Sequence, residues 1–165
     1  MGLDRLWADW RAQYIRTVVD APHREAECLF CGLAAAPDDD ALVVARGEHC
    51  YCVLNAYPYS SGHVMVVPFR HGPDLEALPA VEAAEVMTFT QRALVALKAA
   101  YRPDACNVGM NLGAAAGAGV THHLHVHVVP RWAADTNFMT TVAETRVLPE
   151  SLADTLDRVR TAWPR

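Results

Sequence analysis

The chain is predicted to be an α+β protein: one domain with an antiparallel sheet of about five strands, a long helix, and helices at both ends. Two observations predict this class. Short apolar segments bounded by Pro, Ser and Gly are typical of strands, and residues 81–100, which lack Gly and Pro, favour a long helix. The order helix, hairpin strands, long helix and two further strands then favours helices gathered against one sheet.

The elements follow from local patterns. Strands are predicted at residues 41–45, 50–54, 63–67, 106–111 and 123–129. An N-terminal helix is predicted because apolar residues recur there at helical spacing, namely Leu6, Trp7, Trp10, Tyr14 and Ile15. The long helix is rich in Ala, Glu, Leu and Met, and a final helix over 149–159 begins at Pro149.

Length and composition indicate a single compact domain, because 165 residues with 52% hydrophobic content can bury one sizeable core. A formal net charge of -5 argues against binding to a nucleic-acid polymer, which requires a basic surface. No apolar run is long enough to span a bilayer, and residues 1–6 lack the features of a secretory signal. We therefore expect a soluble, cytoplasmic protein without membrane partners.

Three histidines, at 123, 125 and 127, alternate with aliphatic residues in the predicted strand 123–129. Successive side chains of a strand point to opposite faces, so His123, His125 and His127 are expected to share one face. Clustered imidazoles are costly as mere structure, since each protonation disfavours the next. The pattern therefore indicates chemistry, either by imidazole itself or through a bound metal ion.

A loop rich in Gly and Ala precedes the histidines, over residues 107–119. Such a loop can turn backbone N–H groups towards an anion, and Asn107 and Asn111 add amide donors. Gly and Ala runs also form plain flexible loops. Its position directly before three histidines favours a phosphate-binding role.

These motifs resemble the histidine triad (HIT) family of nucleotide hydrolases and transferases, whose signature alternates three His with apolar residues. The resemblance extends to residues 55–68, to the Asn/Gly loop, and to Val129-Pro130-Arg131-Trp132. It covers residues 28–132 as the family core, which leaves 1–27 as an N-terminal helical extension and 133–165 as a C-terminal extension. The resemblance implies a HIT-like fold and a homodimer or higher homo-oligomer.

Within this family the chain is most similar to the diadenosine tetraphosphate phosphorylases, through residues 130–132, 135–139 and 145–150. That likeness implies a nucleotidyl transferase that uses inorganic phosphate to convert diadenosine tetraphosphate to ATP and ADP. Many hydrolase members carry a Gln where this chain has Ala118, which implies a different handling of phosphate. Two alternatives stay open: a hydrolase that releases AMP from dinucleoside polyphosphates or adenylyl conjugates, and a non-catalytic module that binds a nucleotide or zinc.

The resemblance also assigns roles to individual residues. His125 would be the nucleophile that forms a nucleotidyl-histidine, His123 would orient it through its backbone carbonyl, and His127 would stabilise charge on the phosphate. No cofactor would be required for this chemistry. The residues expected to contact the nucleotide or its phosphates are Asn55, Asn111, Gly117, Ala118, Gly119 and Trp132.

Five cysteines without an export signal indicate reduced thiols. Cys28 and Cys31 form a C-x-x-C pair, which is half of a common zinc site. The resemblance implies His71 and His123 as the remaining ligands of a structural zinc ion. The alternative is a turn that packs two thiols without a metal.

Overall fold

The computed structural model describes residues 28–133, 135 and 150–164. These residues form three α-helices and five strands, with the bounds α1 Leu29–Ala35, β1 Val43–Arg46, β2 Cys50–Leu54, β3 Val64–Pro68, α2 Ala80–Tyr101, β4 Ala105–Gly109, β5 Val126–Arg131 and α3 Leu152–Ala162. Short 3-10 turns lie at Leu75–Ala77 and Ala114–Ala116. The predicted N-terminal helix falls outside the described residues.

The five strands form one antiparallel sheet in the order β1-β2-β3-β5-β4. β2 and β3 pair without interruption, from Cys50 opposite Pro68 to Leu54 opposite Val64. β5 lies between β3 and β4, because Val128 stands opposite both Val64 and Val108. This arrangement confirms the predicted α+β class and brings the start of β3 beside the histidine-rich strand.

The sheet is covered on both faces, because its central strands β2 and β3 are buried at every position. Helices α2 and α3 cover one face, where the core includes Val66, Phe89, Leu97, Val128 and Val159. On the other face, α1 packs over a core that includes Phe30, Tyr51, Val53, Met65 and Val67. Because side chains alternate along a strand, His127 lies on the same face as α1.

Three predicted strands have a boundary that is wrong by two or three residues, and one of them, β4, ends at Gly109 rather than 111. β1 begins at Val43 rather than 41, because Leu42 has a left-handed backbone with φ 56°. β5 begins at Val126 rather than 123, so His123 and His125 lie ahead of the strand. The reason is that the backbone there bonds elsewhere: the N–H of Leu124 donates to the carbonyl oxygen of Gly72 at 2.8 Å.

The helices differ from the prediction in one respect that matters for the site. α1 was not expected, since a seven-residue segment that contains Gly32 has too little periodicity to indicate a helix. α3 begins at Leu152 because the hydroxyl of Ser151 accepts a hydrogen bond from the N–H of Asp154 at 3.1 Å. Among the described helices, none combines the length and apolarity needed to cross a bilayer.

Candidate active site

His125 lies at the centre of the site with its ring held by the backbone. Its Nδ1 is 2.9 Å from the carbonyl oxygen of His123. Because a carbonyl oxygen only accepts, the ring proton resides on Nδ1 and the lone pair resides on Nε2. Burial lowers the pKa of His125, while the bond to the His123 carbonyl acts in the opposite direction. The site therefore favours a neutral imidazole with Nε2 available as a nucleophile.

Phe30 packs against the rings of both His123 and His125. The centroid of its ring is 5.5 Å from that of His123 and 4.9 Å from that of His125. Phe30 belongs to α1 and is almost completely buried. A large rigid ring in this position restricts the orientation of the His125 imidazole, so α1 contributes to the site although no histidine lies on it.

His123 is held at both ring nitrogens. Its Nε2 is 2.9 Å from the carbonyl oxygen of Pro68, which places the proton on Nε2 and directs the Nδ1 lone pair towards Cys28 Sγ at 3.2 Å. Burial lowers the pKa of His123 to about 4, assisted by nearby histidines and opposed by the Pro68 bond. His123 is consequently neutral near pH 7, with the nitrogen that faces the thiol able to bind a metal ion.

Cys28, Cys31, His71 and His123 form the cluster predicted as a metal site. Their donor atoms all lie within 4.8 Å of one another. Cys31 Sγ is 3.4 Å from His71 Nδ1 and 3.6 Å from His123 Nδ1. Two thiols and two imidazoles form a donor set typical of tetrahedral zinc. The Pro68 carbonyl supplies the outer hydrogen bond that usually fixes a metal-binding imidazole.

His127 is paired with a fourth histidine, His63, which lies just before β3. His63 Nε2 is 3.0 Å from His127 Nδ1, and the backbone N–H of Tyr59 donates to His63 Nδ1 at 3.1 Å. Because that N–H can only donate, His63 Nδ1 must accept, and the proton of His63 lies on Nε2. His63 then donates to His127 Nδ1. A neutral His127 therefore carries its proton on Nε2, where it can donate to a ligand.

The sequence patterns assigned His63 only to the predicted strand 63–67 and not to the site. The structure shows the pairing with His127 because β3 and β5 are neighbours, with Met65 opposite His127. One signal was available: His63 and Met65 are two residues apart, so they share a face if the strand is extended to 63. The pairing of β3 with β5 joins residues that are far apart in the sequence, so no local pattern reveals it.

Asn55 makes turn contacts in the loop that precedes β3. Its side-chain oxygen accepts from the N–H of Tyr57 at 2.9 Å, and its amide nitrogen is 3.4 Å from His63 Nδ1. The side chain thus shapes the loop that leads to the histidines. A contact between Asn55 and the nucleotide stays a prediction.

Several of the other residues expected to bind the nucleotide make contacts within the Gly/Ala loop itself. Within the Gly/Ala loop, Ala116 N–H donates to Gly113 O at 3.2 Å and Gly117 N–H donates to Ala114 O at 2.9 Å. Ala118 is buried, and the amide of Asn111 is 3.4 Å from Gly117 O. These bonds direct polar groups into the loop in this conformation. A phosphate contact by Gly119 also stays a prediction.

Trp132 directly follows β5. Its ring centroid is 6.3 Å from that of Tyr101, the last residue of α2. Even-numbered residues of β5, such as Val126 and Val128, belong to the core beneath α2 and α3. Trp132 therefore packs on the helical side of the sheet, and its nucleotide contact stays a prediction.

The fold and the site define an α+β protein in which a buried, oriented imidazole lies between a thiol–imidazole cluster and an imidazole pair. The chain belongs to the HIT family, because the family model described as HIT domain matches residues 36–134. It is 45% identical over 99% of its length to an AP-4-A phosphorylase of Mycobacterium tuberculosis, 86% of which is covered.

Two further similarities concern chemistry and metal. The chain is 31% identical to an adenylylsulfatase of Arabidopsis thaliana, over 68% of this chain and 56% of the relative. Its structure is similar to that of a Zn-bound histidine triad family protein from Mycobacterium smegmatis, with a TM-score of 0.68 and 29% identity, over 84% of this chain and 94% of the other.

Proposed function

We propose that the protein is a diadenosine tetraphosphate phosphorylase that acts through a nucleotidyl-histidine at His125. The observation that carries the proposal is the hydrogen bond from His125 Nδ1 to the His123 carbonyl, because it leaves the lone pair on Nε2. The similarity to the mycobacterial AP-4-A phosphorylase supports the choice of substrate and of phosphate as the second reactant.

In the first step, the lone pair of His125 Nε2 attacks the α-phosphorus of diadenosine tetraphosphate. A P–N bond forms, and the bond from phosphorus to the bridging oxygen breaks, with its electron pair leaving on ATP. The His125 proton stays on Nδ1, where the His123 carbonyl stabilises the positive charge that the ring acquires. Covalent catalysis in this way divides one difficult displacement into two easier ones.

His127 stabilises the leaving oxygen by a hydrogen bond from Nε2. Its ring centroid is 4.8 Å from that of His125, so the two imidazoles can reach the same phosphoryl group. A complete proton transfer is unnecessary, because a phosphate leaving group is a stable anion near neutral pH. His63 acts as a positioning residue, since its Nε2 proton holds His127 in the required tautomer.

In the second step, inorganic phosphate attacks the adenylyl phosphorus. A P–O bond forms, the P–N bond breaks, and its electron pair returns to His125 Nε2 as ADP is released. Asn111 and Gly117 to Gly119 are proposed to hold this phosphate. That role requires the loop amides to turn from the internal bonds that they make here.

Hydrolysis of adenylyl conjugates is the second candidate. It is favoured by the similarity to an adenylylsulfatase, because water could replace phosphate without any change in the first step. Incubation of diadenosine tetraphosphate with and without phosphate separates the candidates. Phosphorolysis requires phosphate and gives ATP and ADP, whereas hydrolysis in water alone gives ATP and AMP. Nucleotide binding without either product would indicate the non-catalytic module.

We propose that the cluster of Cys28, Cys31, His71 and His123 holds a structural zinc ion. The donor set, the 4.8 Å limit on its mutual distances and the similarity to a Zn-bound family member support this assignment. A zinc ion would cross-link α1, through Cys31, to the segment before β5, through His123. The chemistry itself is left to the imidazoles, and metal analysis of the purified protein tests the assignment.

We further propose that the protein is a cytoplasmic homodimer or higher homo-oligomer. The edge strand β4 and the long helix α2 support self-association through exposed apolar residues, which are Val108 on the edge and Met87 and Val95 on the helix. Val108 stands opposite Val128 and thus on the α2 face of the sheet. Sedimentation analysis of the purified chain tests this assembly, and a monomer would contradict it.

A further inference from the structure

We propose that Tyr57 and Tyr59 form a stacking platform for the base of the leaving nucleotide, so that the loop of residues 55–62 selects substrates with a second nucleoside. The inference rests on the proposed function, because it concerns the leaving group of that reaction. It assigns substrate selectivity to two tyrosines to which the sequence patterns gave no role.

Aromatic rings form a continuous row through the site. Adjacent ring centroids are 4.9 Å apart between Phe30 and His125, 4.8 Å between His125 and His127, and 5.2 Å between His127 and His63. Tyr59 ends the row, with its ring 4.8 Å from that of His63 and 6.1 Å from that of His127. The row thus runs from a buried phenylalanine to a tyrosine at the surface.

The tyrosine rings of the loop are more exposed than the phenylalanine at the other end of the row. Phe30 is 2% exposed, Tyr59 is 36% exposed and Tyr57 is 76% exposed. One face of the Tyr59 ring lies near the imidazole pair, and the remainder of the ring lies at the surface. A planar ligand that leaves the histidines on this side therefore meets the Tyr59 ring and passes the loop that carries the exposed Tyr57 ring.

The direction of the reaction places the leaving group on this side. In an in-line displacement, the attacking nitrogen and the leaving oxygen lie on opposite sides of phosphorus. His125 marks the attacking side, and His127, which hydrogen-bonds the leaving oxygen, marks the other. Tyr59 stacks with an interplanar angle of 29° on His127, so the leaving polyphosphate and its nucleoside pass the tyrosines.

The loop holds these rings on a fixed backbone. Tyr57 N–H donates to Asn55 Oδ1 at 2.9 Å, Tyr59 N–H donates to His63 Nδ1 at 3.1 Å, and the hydroxyl of Ser60 donates to the carbonyl oxygen of Pro130 at 2.7 Å. A fixed loop loses little conformational entropy when a ligand stacks on it. The aromatic face of a tyrosine ring suits the π-face of a base better than it suits phosphate.

The experiment compares diadenosine tetraphosphate with adenosine 5′-tetraphosphate, which has the same reactive phosphorus and chain but no second nucleoside. Both substrates give the same adenylyl-enzyme at saturating phosphate. For Tyr57→Leu and Tyr59→Leu, we expect kcat/KM for diadenosine tetraphosphate to fall roughly tenfold, the effect of one base-stacking contact. We expect kcat/KM for adenosine 5′-tetraphosphate to change by less than about twofold, since its leaving group has no base to stack.

Tyr57→Phe and Tyr59→Phe are the matched controls, because they keep the ring and should keep the ratio of the two kcat/KM values. Equal losses for both substrates in the Leu variants would overturn the platform, as would no loss for either. Calorimetry with variants that also carry His125→Asn measures the ratio of the dissociation constants of the two substrates without turnover. Binding selectivity that depends on the tyrosines, with no turnover by the unaltered protein, would sustain the platform and contradict the phosphorylase.

Discussion

His123 and His127 flank the same nucleophile but are held by opposite kinds of partner. His123 is buried, with a carbonyl at Nε2 and thiols near Nδ1, whereas His127 receives a hydrogen bond at Nδ1 from another imidazole. The first arrangement directs a lone pair at a metal ion, and the second directs a proton at a ligand. Two histidines of one short motif thus have different chemical roles, because different groups contact their second ring nitrogens.

The roles of the two histidines therefore depend on segments that lie far from the motif in the sequence. Pro68 and the two cysteines define His123, while the loop before β3 defines His127 through His63 and the Tyr59 backbone. Four substitutions test this division.

Replacement of His125, which both flanking residues serve, is expected to have the largest effect. His125→Ala removes the nucleophile, so we predict a loss of kcat of about 10⁴-fold or more, the scale seen when an essential nucleophile is deleted. Rapid-quench kinetics with diadenosine tetraphosphate measures the loss. Unchanged turnover would show that no covalent step occurs at this ring.

Replacement of His127 tests the histidine that is proposed to contact the leaving group. His127→Ala removes the hydrogen bond to the leaving oxygen, and we predict a fall in kcat of roughly 10²–10⁴-fold, with a smaller change in KM. Steady-state kinetics separates the two constants. A change confined to KM would assign His127 to ground-state binding instead.

Replacement of a cysteine tests the contacts that hold His123. Cys28→Ser should abolish tight metal binding and lower kcat by roughly 10–100-fold, because the segment that orients His125 loses its anchor. Metal analysis, thermal unfolding and kinetics are measured together. Cys50→Ser is the matched control, since Cys50 is a buried thiol outside the cluster. Equal metal content in both variants would contradict the metal site.

Replacement of His63 should have the smallest effect of the four. Without its Nε2 proton, His127 is no longer confined to one tautomer, and we predict a fall in kcat of about tenfold with KM nearly unchanged. Nitrogen-15 shifts of the His127 ring should then show a mixture of tautomers. His49→Ala, in the β1–β2 turn, is the control. A single unchanged tautomer in His63→Ala would refute the positioning role.

Local patterns predicted most of the scaffold. The bounds of β2 were predicted to the residue, and those of α2 within one residue, because an apolar segment and an Ala-rich segment are each strong local signals. The metal cluster was predicted from C-x-x-C and the family resemblance. The helix α1 escaped prediction because it is short and depends on packing by Phe30.

The rest of the site depends on long-range contacts that no local pattern encodes. His63 and His127 are 64 residues apart and meet only because β3 and β5 pair. The displacement of His123 and His125 from the strand likewise depends on Gly72, which captures the Leu124 N–H. The internal bonds of the Gly/Ala loop are specific to its folded conformation, whereas the residue types alone indicate only a flexible, anion-competent backbone.

The adenylyl-enzyme itself tests the central claim most directly. We predict that the protein, mixed with adenosine-labelled diadenosine tetraphosphate in the absence of phosphate and quenched, carries one label per site on His125 Nε2. One equivalent of ATP should be released at the same rate, and added phosphate should convert the label to ADP. Label on a different residue, or rapid turnover with phosphate but without any labelled intermediate, would contradict the account.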